Sequence, residues 1–180
     1  AGVGKTDKEI YNGLKLGIEA FNCESLQEIY VINEMARVYG LKANVSVRIN
    51  PDIDAHTHKY VTTGLYENKF GISQHEFDKL IDIIKKSEHI NFYGLHFHIG
   101  SQITRVSEVF ALECCRVNDI VAYFERNGLK VDNINLGGGL GVDYDDPDEN
   151  PIADFETWFE TINGNIVRRE DQNVHIEPGR

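Results

Sequence analysis

Tyr93-Gly94-Leu95-His96-Phe97-His98-Ile99-Gly100-Ser101-Gln102 is the stretch on which the fold turns. Tyr93, Leu95 and Phe97 alternate with Gly94, His96 and His98, the period-two pattern of a β-strand with one apolar and one polar face. Glycine and a hydroxyl follow where that strand should end. Two other runs repeat the pattern: Val45, Val47 and Ile49 against Ser46, Arg48 and Asn50, and Val174 and Ile176 against His175 and Glu177.

Outward from these runs, strands are expected to end near Asn22, Asn50, His98, Gly137 and Glu177, positions 28, 48, 39 and 40 residues apart. That pitch suits successive βα units of roughly 30 residues or more, the longest gap holding an extra loop at 51–72. The intervening segments read as helices. Thr6 with Glu9, Ser25 with Glu28 and Ser73 with Glu76 form the capping-box pattern, predicting helices over 7–16, 26–39 and 74–86. Phe77, Leu80, Ile81 and Ile84 then recur on one face of the third. A fourth helix is expected over 106–127, striped by Phe110, Val117, Ile120, Val121 and Phe124 and stopped before Gly128, and a fifth over 154–169 around Trp158 and Ile162.

Alternating strands and helices imply an α/β fold with a parallel sheet, either doubly wound or a (β/α)8 TIM-type barrel. Strand parity favours the barrel. With the apolar sides against the helices, Arg48, His98, Asn135 and Glu177 point inward near the top of a shared interior, where a polar ligand or water must satisfy them. Half-exposed antiparallel strands would show the same alternation without the helical crossovers.

Composition narrows the function. A chain of 180 residues with 41% hydrophobic and 26% charged residues is expected to fold as one domain, and a net charge of −11 argues against nucleic acid or an anionic membrane as its partner. Cys23, Cys114 and Cys115 have neither disulfide-framework nor zinc-knuckle spacing, which points to the cytoplasm. Cys114 and Cys115 read as core or interface thiols. No run of 18 apolar residues is present, and Ala1-Gly2-Val3-Gly4-Lys5 reads as the interior of a longer chain rather than a signal peptide.

The chemistry gathers at three strand ends. Gly137-Gly138-Gly139-Leu140-Gly141 offers backbone N–H groups with no Cβ in the way, Gly100-Ser101 adds a hydroxyl, and Gly179-Arg180 adds a guanidinium, together a phosphate cradle. Beside them Glu177 can pair with a protonated ring nitrogen and His98 can lie flat on an aromatic ligand. Singly these would be a turn, a salt-bridged carboxylate and a core histidine. Together they describe a pocket for pyridoxal 5′-phosphate.

These residues resemble the diaminopimelate decarboxylase branch of the alanine-racemase-like (fold-type III) pyridoxal-phosphate decarboxylases, a group that also holds ornithine and arginine decarboxylases. The resemblance runs from Gly4-Lys5-Thr6 through Phe21-Asn22-Cys23-Glu24-Ser25, Arg48-Ile49-Asn50-Pro51 and Lys69-Phe70-Gly71-Ile72 to Glu177-Pro178-Gly179-Arg180. His56-Thr57-His58-Lys59-Tyr60, Thr63-Gly64 and His98-Ile99-Gly100-Ser101-Gln102-Ile103 look most like the diaminopimelate branch. It implies that His98 stacks on the cofactor, Ser101, Gly137, Gly138 and Gly139 bind its phosphate, Glu177 contacts the pyridine nitrogen and Arg48 lies beneath. Gly179 and Arg180 belong to the phosphate edge, where Arg180 also meets the substrate carboxylate.

The implied activity is decarboxylation of meso-2,6-diaminopimelate to L-lysine and CO2, the last step of lysine biosynthesis, by a homodimer. The family's cofactor-bearing lysine matches no position here, Lys5 and Lys69 included, and its C-terminal β-domain is expected beyond Arg180. Residues 1–180 are accordingly expected to be barrel strands four to eight, inactive in isolation. Lys69 resembles an interface lysine; a solvated charge is the plainer reading for it and for Lys5.

Other classes remain in view. An ornithine- or arginine-type decarboxylase, or a non-catalytic cofactor-binding relative, would carry the same pocket. Ala1-Gly2-Val3-Gly4-Lys5-Thr6 mimics the end of a P-loop but lacks its first glycine and preceding strand. His96 and His98, with His56, His58 and His175, would suit a metal-dependent hydrolase; against that, no metal is expected, and His96 reads as packing or a supporting hydrogen bond.

Overall fold

A computed structural model describes residues 1–53, 70–146 and 154–179. Within them five helices and five strands alternate: α1 (Asp7–Leu16), β1 (Phe21–Cys23), α2 (Leu26–Val38), β2 (Ala43–Arg48), α3 (Phe77–Lys86), β3 (Ile90–His96), α4 (Val106–Arg126), β4 (Asn133–Asn135), α5 (Phe155–Asn165) and β5 (Asn173–His175). The strands form one parallel sheet in the order β1-β2-β3-β4-β5, with no reversal of direction along the sheet.

The helix starts differ in how far they follow the sequence pattern. Thr6 and Glu9 form the complete reciprocal box, and Gly17 ends α1 in the left-handed conformation. Ser25 accepts from the Glu28 N–H at 3.2 Å, but the Glu28 carboxylate turns instead to the Glu24 N–H at 2.7 Å. Ser73 makes no side-chain cap, and residues 74–76 form a 3-10 turn before α3. Helix α3 is held by its buried face instead: Phe77, Leu80, Ile81, Ile83 and Ile84. Helix α5 ends at Asn165, four residues short of the expected end, because Ile166 is already extended.

Helices pack on the apolar side of the sheet. Phe124 of α4 lies 5.1 Å from Phe77 of α3 and 6.4 Å from Phe92 of β3, centroid to centroid, and Phe110 of α4 meets Trp158 of α5 at 5.4 Å. Val45, Val47, Leu95 and Ile134 are fully buried. One strand departs from simple alternation. Val45 pairs with Phe92, but its successor Ser46 pairs with Gly94, so Tyr93 is an extra residue and the ladder is bulged there. Tyr93 lines a cavity of about 180 Å³ together with Asn22, Ser46, Leu95 and Asn133. Gly94 permits the kink: a Cβ there would stand 2.0 Å from the Asn133 carbonyl oxygen.

Candidate functional site

Register places Arg48, His96, Asn135 and His175 side by side across four strands, all on the polar face. Backbone pairing continues past the strand ends, with Phe97 N–H donating to Asn135, Leu136 N–H to His175 and Glu177 N–H to Gly137. His98, the glycine run and Glu177 thereby meet at the carboxyl edge of the sheet.

Arg48 is held from beside. Its Nη1 lies 3.0 and 3.1 Å from the two Glu24 carboxylate oxygens, its guanidinium sits 5.4 Å from the Phe70 ring centre, and both partners of the ion pair are largely buried. Glu24 is in turn fixed by the bond from its N–H to Glu28, and Glu28 pairs with Lys5 at 3.1 Å. Lys5 also donates to the Asn22 carbonyl at 2.6 Å. It is a buried ion-pair member at the end of β1, not the solvated charge expected of it. Glu24 was not singled out in the sequence; its position immediately after β1, level with Arg48, was the available signal.

The glycine run is packed as tightly as its composition suggests, but its N–H groups are not bare. Gly137 donates to Asn135 Oδ1 at 2.9 Å, Gly138 to His98 Nδ1 at 3.3 Å and Gly139 to the Gly179 carbonyl at 2.8 Å. A Cβ on Gly138 would lie 2.0 Å from the Glu177 carbonyl oxygen, and Gly137 and Gly139 both have positive φ. The bond from Gly138 assigns His98 a bare Nδ1, leaving the proton on Nε2 when the ring is neutral. The loops after β3 and β4 are also clipped together: Ile103 exchanges backbone bonds with Gly139 and Gly141, and Gln102, at φ 57, bonds both polar groups of Val142. Ser101 stands half-buried in this loop, and its hydroxyl has no hydrogen bond among the described residues.

Glu177 completes the edge. Asn135 Nδ2 donates to its Oε1 at 3.0 Å, and 45% of the side chain remains exposed. Beneath it His96 is 2% exposed, with Nε2 3.5 Å from the same Oε1 and, among the described residues, no formed hydrogen bond at either ring nitrogen. Burial, assisted by Arg48 and His98 and opposed by Glu177, pushes the imidazole down to about 4, so it is neutral at pH 7. The supporting bond expected of His96 is an approach at 3.5 Å rather than a made bond.

Arg180, Lys69, His56, His58, Lys59, Tyr60, Thr63 and Gly64 lie outside the described residues. Among those described, no group of three or more His, Cys, Asp or Glu is placed to hold a metal ion, and no helix is long and apolar enough to cross a membrane. Cys23 and Cys114 are buried and Cys115 is exposed; burial pushes the Cys114 thiol up to about 12.

Residues 1–180 match the family described as pyridoxal-dependent decarboxylase, pyridoxal binding domain. The chain is 49% identical to a diaminopimelate decarboxylase of Bacteroides thetaiotaomicron over 180 residues, 100% of this chain and 46% of that protein. Among solved structures, diaminopimelate decarboxylase from Helicobacter pylori complexed with L-lysine matches at a TM-score of 0.78 and 36% identity, over 99% of this chain and 44% of that one. The arginine decarboxylase of Paramecium bursaria Chlorella virus matches at 0.71 with 22% identity, a likeness of fold alone. The chain thus spans less than half the length of the relatives it matches.

Proposed function

The chain belongs to the pyridoxal-dependent decarboxylases, and from that premise we propose that the whole protein converts meso-2,6-diaminopimelate to L-lysine and CO2. The observation that carries the reading is the meeting of His98, Ser101, Gly138 and Glu177 at one edge of the sheet, joined by the bond from Gly138 to the His98 ring. The 49% identity to a named diaminopimelate decarboxylase supports this branch over the ornithine and arginine types.

The residues present suit pyridoxal phosphate. Among the described residues, neither the Ser101 hydroxyl nor Glu177 Oε2 has a hydrogen-bond partner. A phosphate would take the Ser101 hydroxyl and the Gly138 N–H, whose 3.3 Å bond to His98 is the longest of the three made by the glycine run. Arg180 would add charge to that edge. Glu177 would hold the ring nitrogen protonated, and His98 would present its face to the ring. Bound there, the cofactor supplies an electron sink for loss of a carboxylate. Arg48, fixed by Glu24, keeps a positive charge beneath the site without swinging into it.

We read residues 1–180 as strands four to eight of a (β/α)8 barrel, since the sequential strand order lacks the reversal of a doubly wound sheet. The remaining strands, the cofactor-bearing lysine and a β-domain then come from outside this segment, in a cytoplasmic homodimer. The test is to assay the full-length protein with diaminopimelate, ornithine and arginine. Turnover of diaminopimelate with little of the others is expected, and preference for ornithine or arginine would overturn the branch. The segment alone should bind no cofactor covalently and release no CO2.

A further inference from the structure

Two protein donors converge on one oxygen of Glu177. Asn135 Nδ2 is bonded to Oε1 at 3.0 Å, and His96 Nε2 approaches the same atom at 3.5 Å from the buried side. Oε2 receives nothing among the described residues, and nearly half of the side chain is open. The register explains the convergence: His96 and Asn135 are Cα partners on adjacent strands, and Glu177 lies just beyond His175, the next residue in the row. His96 is sealed from water, and neither ring nitrogen is satisfied among the described residues. Buried imidazoles without partners are uncommon, because the desolvated donor is expensive to leave unused.

We infer that His96 is a positioning residue for Glu177, its neutral Nε2–H closing on Oε1 when a ligand engages Oε2. With Asn135 as the second donor, this turns the carboxylate so that one oxygen is reserved for the protein and the other for a ring N–H. The inference rests on the reading of Glu177 as the partner of the cofactor's pyridine nitrogen. It adds a residue outside the cofactor's reach that makes this partnership directional. Long approaches of this kind commonly tighten only in the ligated state. The charged and titratable groups acting on His96 are Glu177, Arg48 and His98, and burial outweighs them all in keeping the ring neutral. A cationic His96 would neutralise the carboxylate that the ring nitrogen needs; a neutral one orients it and leaves its charge in place.

The test uses the full-length enzyme with bound pyridoxal phosphate and follows the pH dependence of cofactor absorbance together with kcat and KM. His96→Leu removes the donor at similar size, His96→Gln restores an N–H, and Glu177→Gln removes the group acted upon. We expect His96→Leu to lower kcat roughly tenfold with KM little changed, and to move the ring-protonation midpoint down by about one pH unit. His96→Gln should recover most of both. In the Glu177→Gln background, His96→Leu should add little, since the two act as one unit. If Glu177→Gln shifts the spectrum while His96→Leu leaves midpoint and kcat at wild-type values, the role of His96 is overturned and the site reading stands. If Glu177→Gln itself leaves the spectrum unchanged, the site reading falls and takes the role of His96 with it. Should His96→Leu fail to fold, His96→Asn, too short to reach Oε1, carries the same expectations.

Discussion

The polar face of the sheet has a lower row and an upper row, and they treat hydrogen bonds differently. Below, Asn133 donates to the Tyr93 carbonyl at 2.9 Å, and its Oδ1 receives Asn173 Nδ2 and faces His175 Nε2, each at 3.1 Å. That row is closed on itself. Above, among the described residues, His96 has no formed bond, the Ser101 hydroxyl has no partner, and Glu177 offers one oxygen to the open edge. His96 is the buried member of this row, and an imidazole left unpaired away from water costs about 1–3 kcal/mol. Saturated polar groups brace the interior, and unsaturated ones at strand ends mark where something else is bound.

The glycines test that division most severely. Gly94 in the lower row and Gly138 in the upper each leave only 2.0 Å between a would-be Cβ and a backbone oxygen, Asn133 O and Glu177 O respectively. Alanine at either forces backbone apart, and a loss of about 3 kcal/mol is expected for each by chemical denaturation. The two should part in cofactor binding. Gly94→Ala that still folds should retain cofactor normally, whereas Gly138→Ala should lose it even under conditions where it stays folded. Equal cofactor affinity in both variants would erase the distinction between the rows.

A milder pair sharpens it. Asn133→Ala strands the Tyr93 carbonyl and the Asn173 amide, and about 2 kcal/mol of stability should go with it. Ser101→Ala removes a hydroxyl that bonds nothing among the described residues, so its stability should stay within about 0.5 kcal/mol of wild type. Its cofactor affinity should nonetheless drop roughly tenfold, the value of one hydrogen bond to a charged group. Thermal unfolding of apo proteins alongside equilibrium cofactor binding separates the two effects. A destabilised Ser101→Ala with unchanged affinity would place Ser101 with the structural row.

What the sequence made legible follows from how local each cause is. The Thr6–Glu9 box and the apolar stripe of α3 are written within a few residues, and both elements begin or pack as read. The strand-end positions were readable because parity and βα pitch are chain-local. The bulge at Tyr93 was not, since an extra residue flips facing without changing composition, and only Gly94 hinted at it. The spent N–H groups of the glycine run were equally hidden. Their acceptors, Asn135, His98 and Gly179, are supplied by the strand end before the run and by two other strand ends, and only folding brings them together. For the same reason Lys5 read as solvated: its partner Glu28 is 23 residues away.

Among the described residues, buried unsatisfied groups occur in one further place, and it limits the rule. Glu113 on α4 is fully buried with neither carboxylate oxygen bonded among the described residues, and Trp158 Nε1 on α5 is likewise unpartnered among them. These lie in the helix layer rather than at a strand end, so unmet hydrogen bonding without an open edge signals a stability cost, not a site. Burial raises the Glu113 carboxyl well above its ordinary value of 4.5, so the folded chain keeps its proton at pH values where the unfolded chain releases it. Stability from this group is therefore complete below about pH 4.5 and declines as pH rises above that value, until the folded carboxyl itself ionises. Glu113→Gln abolishes the titration at nearly constant volume. The variant should match wild type at pH 4 and exceed it by about 1 kcal/mol near pH 8, with cofactor affinity unchanged. Denaturant melts across that range measure the divergence; parallel curves for the two proteins would mean that Glu113 is ionised and paired in solution, and that the helix layer is closed like the lower row.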